Sequence, residues 1–135
     1  MSSFSLKIVT PDGLQYDGQA QEIVVRTTSG DLGIMAGHIN CVAPLGMGQA
    51  TVWTEEGKRY GACIGGMISV VNGAVTLVPT TFEWAEDIDT DRVADSRRRA
   101  EAILQDKSSL DTDIRLAEAR LKRALIRSSV AGQKK

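Results

Sequence analysis

Glycine and proline divide this chain in two. Twelve of its 13 glycines lie at or before Gly73, the last is Gly132, and all three prolines (Pro11, Pro44, Pro79) precede residue 80. Both residues are costly inside helices but supply turns. The front therefore reads as turn-rich and residues 85–131 as helical. Short β-prone runs fill the front: "FSLKIVT", "QEIVVRTT", "QATVWT", "GMISVV" and "AVTLVPT", separated by "PDG", "SGD" and "EEGK". Between the last two runs stands Asn72–Gly73, the pair that a two-residue hairpin turn requires because both positions need positive φ. Many short strands at this spacing predict a sandwich or barrel, and the apolar content of 42% is enough for a core. The division expected is residues 1–84 as a β domain and 85–135 as a helical hairpin.

The tail begins acidic. "EWAEDIDTD" (83–91) carries five carboxylates in nine residues, ahead of "RVADSRRRAEAILQ". Asp89 is the expected N-cap, with Asp91 in the first turn where the helix dipole favours negative charge. "DKSSLDTD" interrupts the pattern, with Ser109 or Asp111 as the second cap. Beyond it Leu110, Ile114, Ala117, Leu121, Ala124 and Ser128 repeat in steps of four and three. That is one narrow seam, suited to pairing with one other helix. Neither helix has a broad apolar face, so the hairpin must dock on something to persist.

Charge is segregated as well. Residues 110–135 carry +4 and residues 1–109 carry −5, within a net charge of −1. Arg120, Arg123 and Arg127 stand at i, i+3 and i+7, one stripe. It is either a solvated face or the docking surface for an acidic partner.

Catalytic chemistry is hard to find. His38 is the only histidine, and Asp31 and Cys41 do not complete the roughly four ligands of a zinc site. Nothing argues for a nucleophile, base and orienter together. "IGG" (64–66) opens no helix, so it lacks phosphate-loop context and reads as close backbone approach. Arg97–Arg99 have no aromatic residues interleaved with them, and aromatics are 4% of the chain, so nucleic-acid binding is not expected. No apolar run approaches the roughly 20 residues of a membrane span. The N-terminus lacks the basic-then-apolar export pattern, so Cys41 and Cys63 are expected free and buried in a reducing compartment.

Six segments, in order, resemble the epsilon subunit of bacterial rotary (F-type) ATP synthases: "IVTPDG" (8–13), "SGDLGIMAGHINCVAPL" (29–45), "GGM" (65–67), "VTLVP" (75–79), "AEDIDTDRV" (85–93) and "AEARLKRALIRSSVA" (117–131). The resemblance implies a two-layer β-sandwich of about ten strands followed by an antiparallel two-helix hairpin. It implies a non-catalytic subunit at the foot of the central stalk, against the gamma subunit and the membrane c-ring, peripheral to the cytoplasmic face of the cell membrane. The hairpin would lie on the sandwich or extend beside gamma towards the alpha and beta subunits, restraining ATP hydrolysis. Arg120, Arg123 and Arg127 would then meet beta. Asp31 and His38 would share a loop at the rotor foot, facing the ring and gamma; a buried structural histidine is the alternative for His38. No cofactor or metal is required. Some bacterial members bind ATP as a regulatory ligand, and the matching positions here are Glu83, Ile88, Asp89, Arg92, Arg123 and Arg127. Val93 replaces the usual alanine, and Phe82 and Trp84 are bulky beside Glu83. For Asp89 and Arg92, helix capping with a surface ion pair is the competing role. The other functions compatible with these residues are a free-standing ATP-sensing switch and an adaptor for an acidic helix.

Overall fold

A computed structural model describes residues 2–133. Ten strands come first: β1 Phe4–Thr10, β2 Gly13–Ala20, β3 Glu22–Thr27, β4 Gly30–Met35, β5 Cys41–Pro44, β6 Met47–Thr54, β7 Gly57–Ile64, β8 Met67–Val71, β9 Ala74–Val78 and β10 Thr81–Trp84. A 3-10 turn, Ala85–Asp87, leads to α1 Thr90–Gln105 and α2 Asp111–Ala131. The strands form two five-stranded sheets, ordered β2-β1-β9-β8-β5 and β10-β7-β6-β3-β4. Among these strands only the β1–β9 pairing is parallel. The expected fold class, a two-layer sandwich followed by a helical hairpin, is what the chain adopts.

Alternation explains the core. Along β1 every second residue from Phe4 to Thr10 is buried, because successive side chains point to opposite faces. Leu6, Ile8, Ile23, Val25, Ile34, Val52, Ile68 and Leu77 reach 0% exposure between the sheets. Each such side chain contributes about 1.5–3 kcal/mol through burial. The turn at Asn72–Gly73 has the positive φ values (50° and 84°) that its sequence demands. Gly66 marks the close approach expected for "IGG": a Cβ there would collide with the Val78 carbonyl oxygen.

One turn is used three times. Thr10, Thr27 and Thr54 each donate a hydroxyl hydrogen bond to the carbonyl three residues on, at Gly13, Gly30 and Gly57. Each also accepts from the amide two residues on, at Asp12, Ser29 and Glu56. The Thr-x-x-Gly spacing therefore closes three hairpins with the same side-chain brace.

The helices fold back on each other, since Val93 near the start of α1 shares a cluster with Val130 and Ala131 at the end of α2. Asp89 caps α1, accepting from the amides of Asp91 and Arg92 at 3.1 Å. The second cap differs from expectation. Leu110 occupies the N-cap with no side-chain bond, because the Ser109 hydroxyl is spent on Ile103 O at the end of α1 (2.8 Å). Asp106, in the same link, has its carboxyl held below the ordinary range by the Ser108 hydroxyl and then by the Ser108 amide. The seam holds at Ala117 and Ala124, 0% and 2% exposed, and fails at its ends, where Leu110 is 68% exposed and Ser128 is also exposed.

Docking of the hairpin falls to α2, which lies on β6, β7 and the 3-10 turn. The contact cluster is built from small residues: Ala62, Ala85, Ala124 and Ala131, with Val93, Val130 and Ile88. An alanine methyl buries about one carbon's worth of surface, roughly 0.8 kcal/mol, so this interface is weak beside the sandwich core.

Both thiols are free. Cys63 is buried as expected, but Cys41 is only half-buried because β5 is an edge strand. Burial pushes the Cys63 thiol up to about 12, and the thiolate is the reactive form. Alkylation at neutral pH is therefore expected to modify Cys41 first, with Cys63 reacting only after denaturation. Equal labelling of both in the folded chain would contradict this burial.

Candidate functional site: a cavity between sandwich and hairpin

A cavity of about 390 Å³ opens where α2 crosses the second sheet. Ile64, Phe82 and Glu83 come from the sandwich, Ser96 from α1, and Arg120, Arg123 and Arg127 from α2. The i, i+3, i+7 stripe thus borders the cavity in the docked state, with Arg120 and Arg123 exposed and Arg127 half-buried. This follows from helix geometry, since at 3.6 residues per turn the stripe lies about a quarter-turn from the Ala117–Ala124 seam. When that seam packs on α1, the arginines come to the cavity mouth and Arg127 reaches the sheet.

Arg127 makes the decisive contact. Its Nη2 donates to Glu83 Oε2 at 3.0 Å, while Nε stands 2.5 Å from Oε1. The Nε approach is ionic, without hydrogen-bond alignment. Both side chains are about one-third exposed, and solvent screening limits such a pair to the order of 1 kcal/mol. This pair ties α2 directly to β10, the last strand of the sandwich. Arg120 and Arg123 add positive charge to the same cavity, which Asp12 also lines.

The residues matched to a nucleotide site divide into two groups. Glu83, Arg123 and Arg127 share the cavity wall. Ile88 is 4% exposed within the docking cluster, Asp89 is occupied with capping, and the Arg92 side chain is exposed at the start of α1. Val93 does not crowd the cavity: it is 3% exposed and packs in the docking cluster with Ala124 and Val130. Its extra methyls tighten docking. Phe82 does line the cavity, while Trp84 is buried against Phe82 and Tyr16. Ser96 and Asp12 escape sequence reasoning. Ser96 has a signal, lying three residues after Val93 and four before the buried Ala100. Asp12 has none, being over a hundred residues from the arginines with which it lines the cavity.

Asp31 and His38 do not share a loop. Asp31 is the second residue of β4 and His38 lies three residues past its end, with about 13 Å of strand between Asp31 and Met35. Asp31 is exposed and pairs with Arg26 at 3.3 Å across the β3–β4 ladder. His38 is half-buried, so it is not a core histidine, and its Nδ1 hydrogen-bonds Ile39 O at 2.8 Å. Ile39 and Val42 beside it are 77% and 64% exposed.

A second surface carries no sequence signal. On the outer face of the first sheet Leu14 pairs with Val9, and Val78, Met67 and Pro44 pair in a row on the three strands beyond, just past the last β1–β9 partners Ile8 and Leu77. Leu14, Val78 and Met67 are 58%, 47% and 43% exposed. The hairpin covers the other sheet and leaves this apolar row open. Among the described residues, no group of three or more His, Cys, Asp or Glu could hold a metal ion, and no helix is long and apolar enough to cross a membrane.

Comparison with known proteins matches both halves of the fold. Residues 3–85 match the family model for the ATP synthase delta/epsilon chain, beta-sandwich domain, and residues 86–132 the long alpha-helix domain of the same chain. The ATP synthase epsilon chain of Bacillus velezensis is 42% identical over 132 residues, covering 98% of this chain and 99% of that one. That of Bacillus cytotoxicus is 40% identical over 134 residues, covering 99% and 100%. The fold recurs in a chain of the Euglena gracilis mitochondrial ATP synthase, OSCP/F1/c-ring, with TM-score 0.82 and 24% identity over 96% of this chain and 81% of that one. It recurs at TM-score 0.58 and 13% identity in the central stalk and c-ring structure of the Tetrahymena thermophila enzyme, covering 94% and 95%. A sandwich and a helical hairpin that each match their own half of one family, in a chain end-to-end similar to bacterial epsilon chains, make this protein a member of the ATP synthase epsilon-chain family.

Proposed function

We propose that this chain is a non-catalytic rotor subunit that couples the catalytic hexamer to the membrane ring and restrains ATP hydrolysis through its hairpin. The observation that carries the reading is the docking interface. It is made of small residues and one solvent-screened ion pair, which occupies Arg127, while Arg120 and Arg123 line the cavity and stay exposed. An element so weakly held can leave, and leaving frees Arg127 from Glu83 to complete a stripe of three guanidinium groups for an acidic partner. In this reading beta, beside alpha, receives the stripe. The apolar row on the first sheet packs on gamma, and Asp31 and His38, at the two ends of β4, contact the c-ring and gamma. The chain then sits peripherally on the cytoplasmic face of the cell membrane. Recovery of gamma and beta chains with it from solubilised membranes tests the assignment; their absence would leave a free-standing switch or adaptor.

The same cavity supports ATP as a regulatory ligand of the docked form. Its arginines suit phosphates, and Glu83 can accept from a donor on the base. Ile88, Asp89 and Arg92 lie off the cavity wall in this state, so in this reading they join the site when the first turn of α1 closes on the bound nucleotide. With ATP at about 100 times its dissociation constant, ligation stabilises by about 2.7 kcal/mol, a melting shift of roughly 10 °C. Arg123→Ala and Arg92→Ala are each expected to remove most of that shift. No shift in the unmodified chain at saturating ATP would remove the site.

A further inference from the structure

The connector between sandwich and hairpin is fastened by Arg59, a residue outside all six segments that carry the family resemblance. Arg59 lies on β7. Its guanidinium carbon sits 3.7 Å from the centroid of the Trp84 ring, and its Nη2 is 2.6 Å from Glu86 Oε1. The ring it rests on is fixed. Trp84 is 4% exposed, its indole N–H donates to Gln15 O at 3.2 Å, and Phe82 meets it edge-on at 4.9 Å. Stacking on that ring pre-orders the planar fork and leaves an edge for the carboxylate. A flexible exposed pair would hold little, but this arginine is already immobilised on one side.

The backbone shows where the fastening ends. Ala85, between Trp84 and Glu86, is 1% exposed in a turn that touches β7 as well as α2. Past the 3-10 turn, Ile88 and Asp89 are extended, with ψ of 123° and 99°, and α1 begins at Thr90. Ile88 is buried in the cluster where the hairpin residues Val93, Ala124, Val130 and Ala131 meet Ala62 and Ala85, so losing the hairpin removes part of its cover.

We propose that Arg59 clamps the 3-10 turn to the sandwich, so that the hairpin pivots at Ile88–Asp89 while the chain through Asp87 stays in place. A fixed pivot limits where a released hairpin can go. Opening the clamp frees three further residues, up to about 10 Å of added reach, and widens the directions available.

The inference rests on the reading that the hairpin leaves the sandwich, and its test unseats the hairpin by mutation so that the two can fail separately. Ala124→Asp places a carboxylate at a 2% exposed position in the docking cluster. In proton–nitrogen NMR of the full chain, this variant should shift Ile88 and the α1 and α2 amides. The amides of residues 85–87 lose the α2 contact and shift with it, but they should stay dispersed, away from random-coil positions, and the Trp84 indole N–H should stay where it is. Adding Arg59→Ala should send residues 85–87 to random-coil positions, with the Trp84 indole signal retained as the mark of an intact sandwich. Residues 85–87 reaching random-coil positions in the single variant, or staying dispersed in the double, would overturn the clamp. Hydrogen exchange tests the clamp a second way, with the hairpin still docked. The Ile88 amide, which donates to Ala85 O at 3.3 Å, should exchange roughly tenfold faster in Arg59→Ala than in the unmodified chain, with β10 amides unchanged. Equal exchange would count against the clamp whatever the fate of Ala124→Asp.

Discussion

Replacing Arg120, Arg123 and Arg127 together with alanine is expected to raise ATP hydrolysis by the reconstituted synthase severalfold, while synthesis driven by a proton gradient changes little. Each guanidinium meeting an acidic helix partly shielded from water contributes on the order of 1 kcal/mol. Three lost together weaken the inhibited state by about 3 kcal/mol, roughly a hundredfold in its population. Alanine's helix propensity preserves α2. The complication is Arg127, whose pairing with Glu83 also ties the hairpin down, so its loss frees the hairpin as well as disarming it. Glu83→Gln separates the two effects. It weakens the tie and keeps all three arginines, so it should lower hydrolysis where the triple variant raises it. Hydrolysis unchanged in the triple variant, with and without added ATP, would mean that the stripe is a solvated face.

How much of this is legible in the sequence follows from what periodicity can encode. The strands that read correctly are those with alternating apolar residues and a turn signal behind them, such as "FSLKIVT" and the pair around Asn72–Gly73. The others are hidden for physical reasons. β2, "GLQYDGQA", is an edge strand whose residues are mostly half-buried or exposed, so nothing selects for alternation there. β7, "GKRYGACI", starts exposed and ends buried on both faces, because α2 covers its outer side. The repeated Thr-x-x-Gly brace stands in plain text and is enough to locate three hairpins.

For the candidate site, spacing puts the arginines on one face of α2 but cannot say what that face meets. The answer depends on Glu83, 44 residues away, and on which side of the seam packs first. Position along β4 likewise separates Asp31 from His38, although the segment around them is continuous in sequence. A run of residues reveals its neighbours along the chain, and the two ends of a strand are neighbours only in that sense.

A chain ending at Asp87 is expected to fold as a β domain and to lose all hairpin-dependent inhibition. Every buried residue of the main core, from Phe4 to Trp84, lies within it. Its last strand, β10, pairs with β7 alone among the strands, and Trp84 is fixed from within the sandwich by Gln15, Phe82 and Arg59. Ending at Asp87 keeps the clamped turn, whereas ending at Trp84 would remove the Glu86 partner of Arg59. The cost of losing the hairpin is the surface it covered. That surface is chiefly Ala62, Ala85 and the flank of Tyr60, worth about 1–2 kcal/mol. For a domain of this length the melting temperature should fall by roughly 10 °C, with β-type circular dichroism and gamma binding retained. A complex rebuilt with this shortened chain should hydrolyse ATP at least as fast as one carrying the triple arginine variant, because it lacks the whole element that bears the stripe. An unfolded product, or a folded one that no longer binds gamma, would show that the hairpin is part of the sandwich's own stability and not an appendage to it.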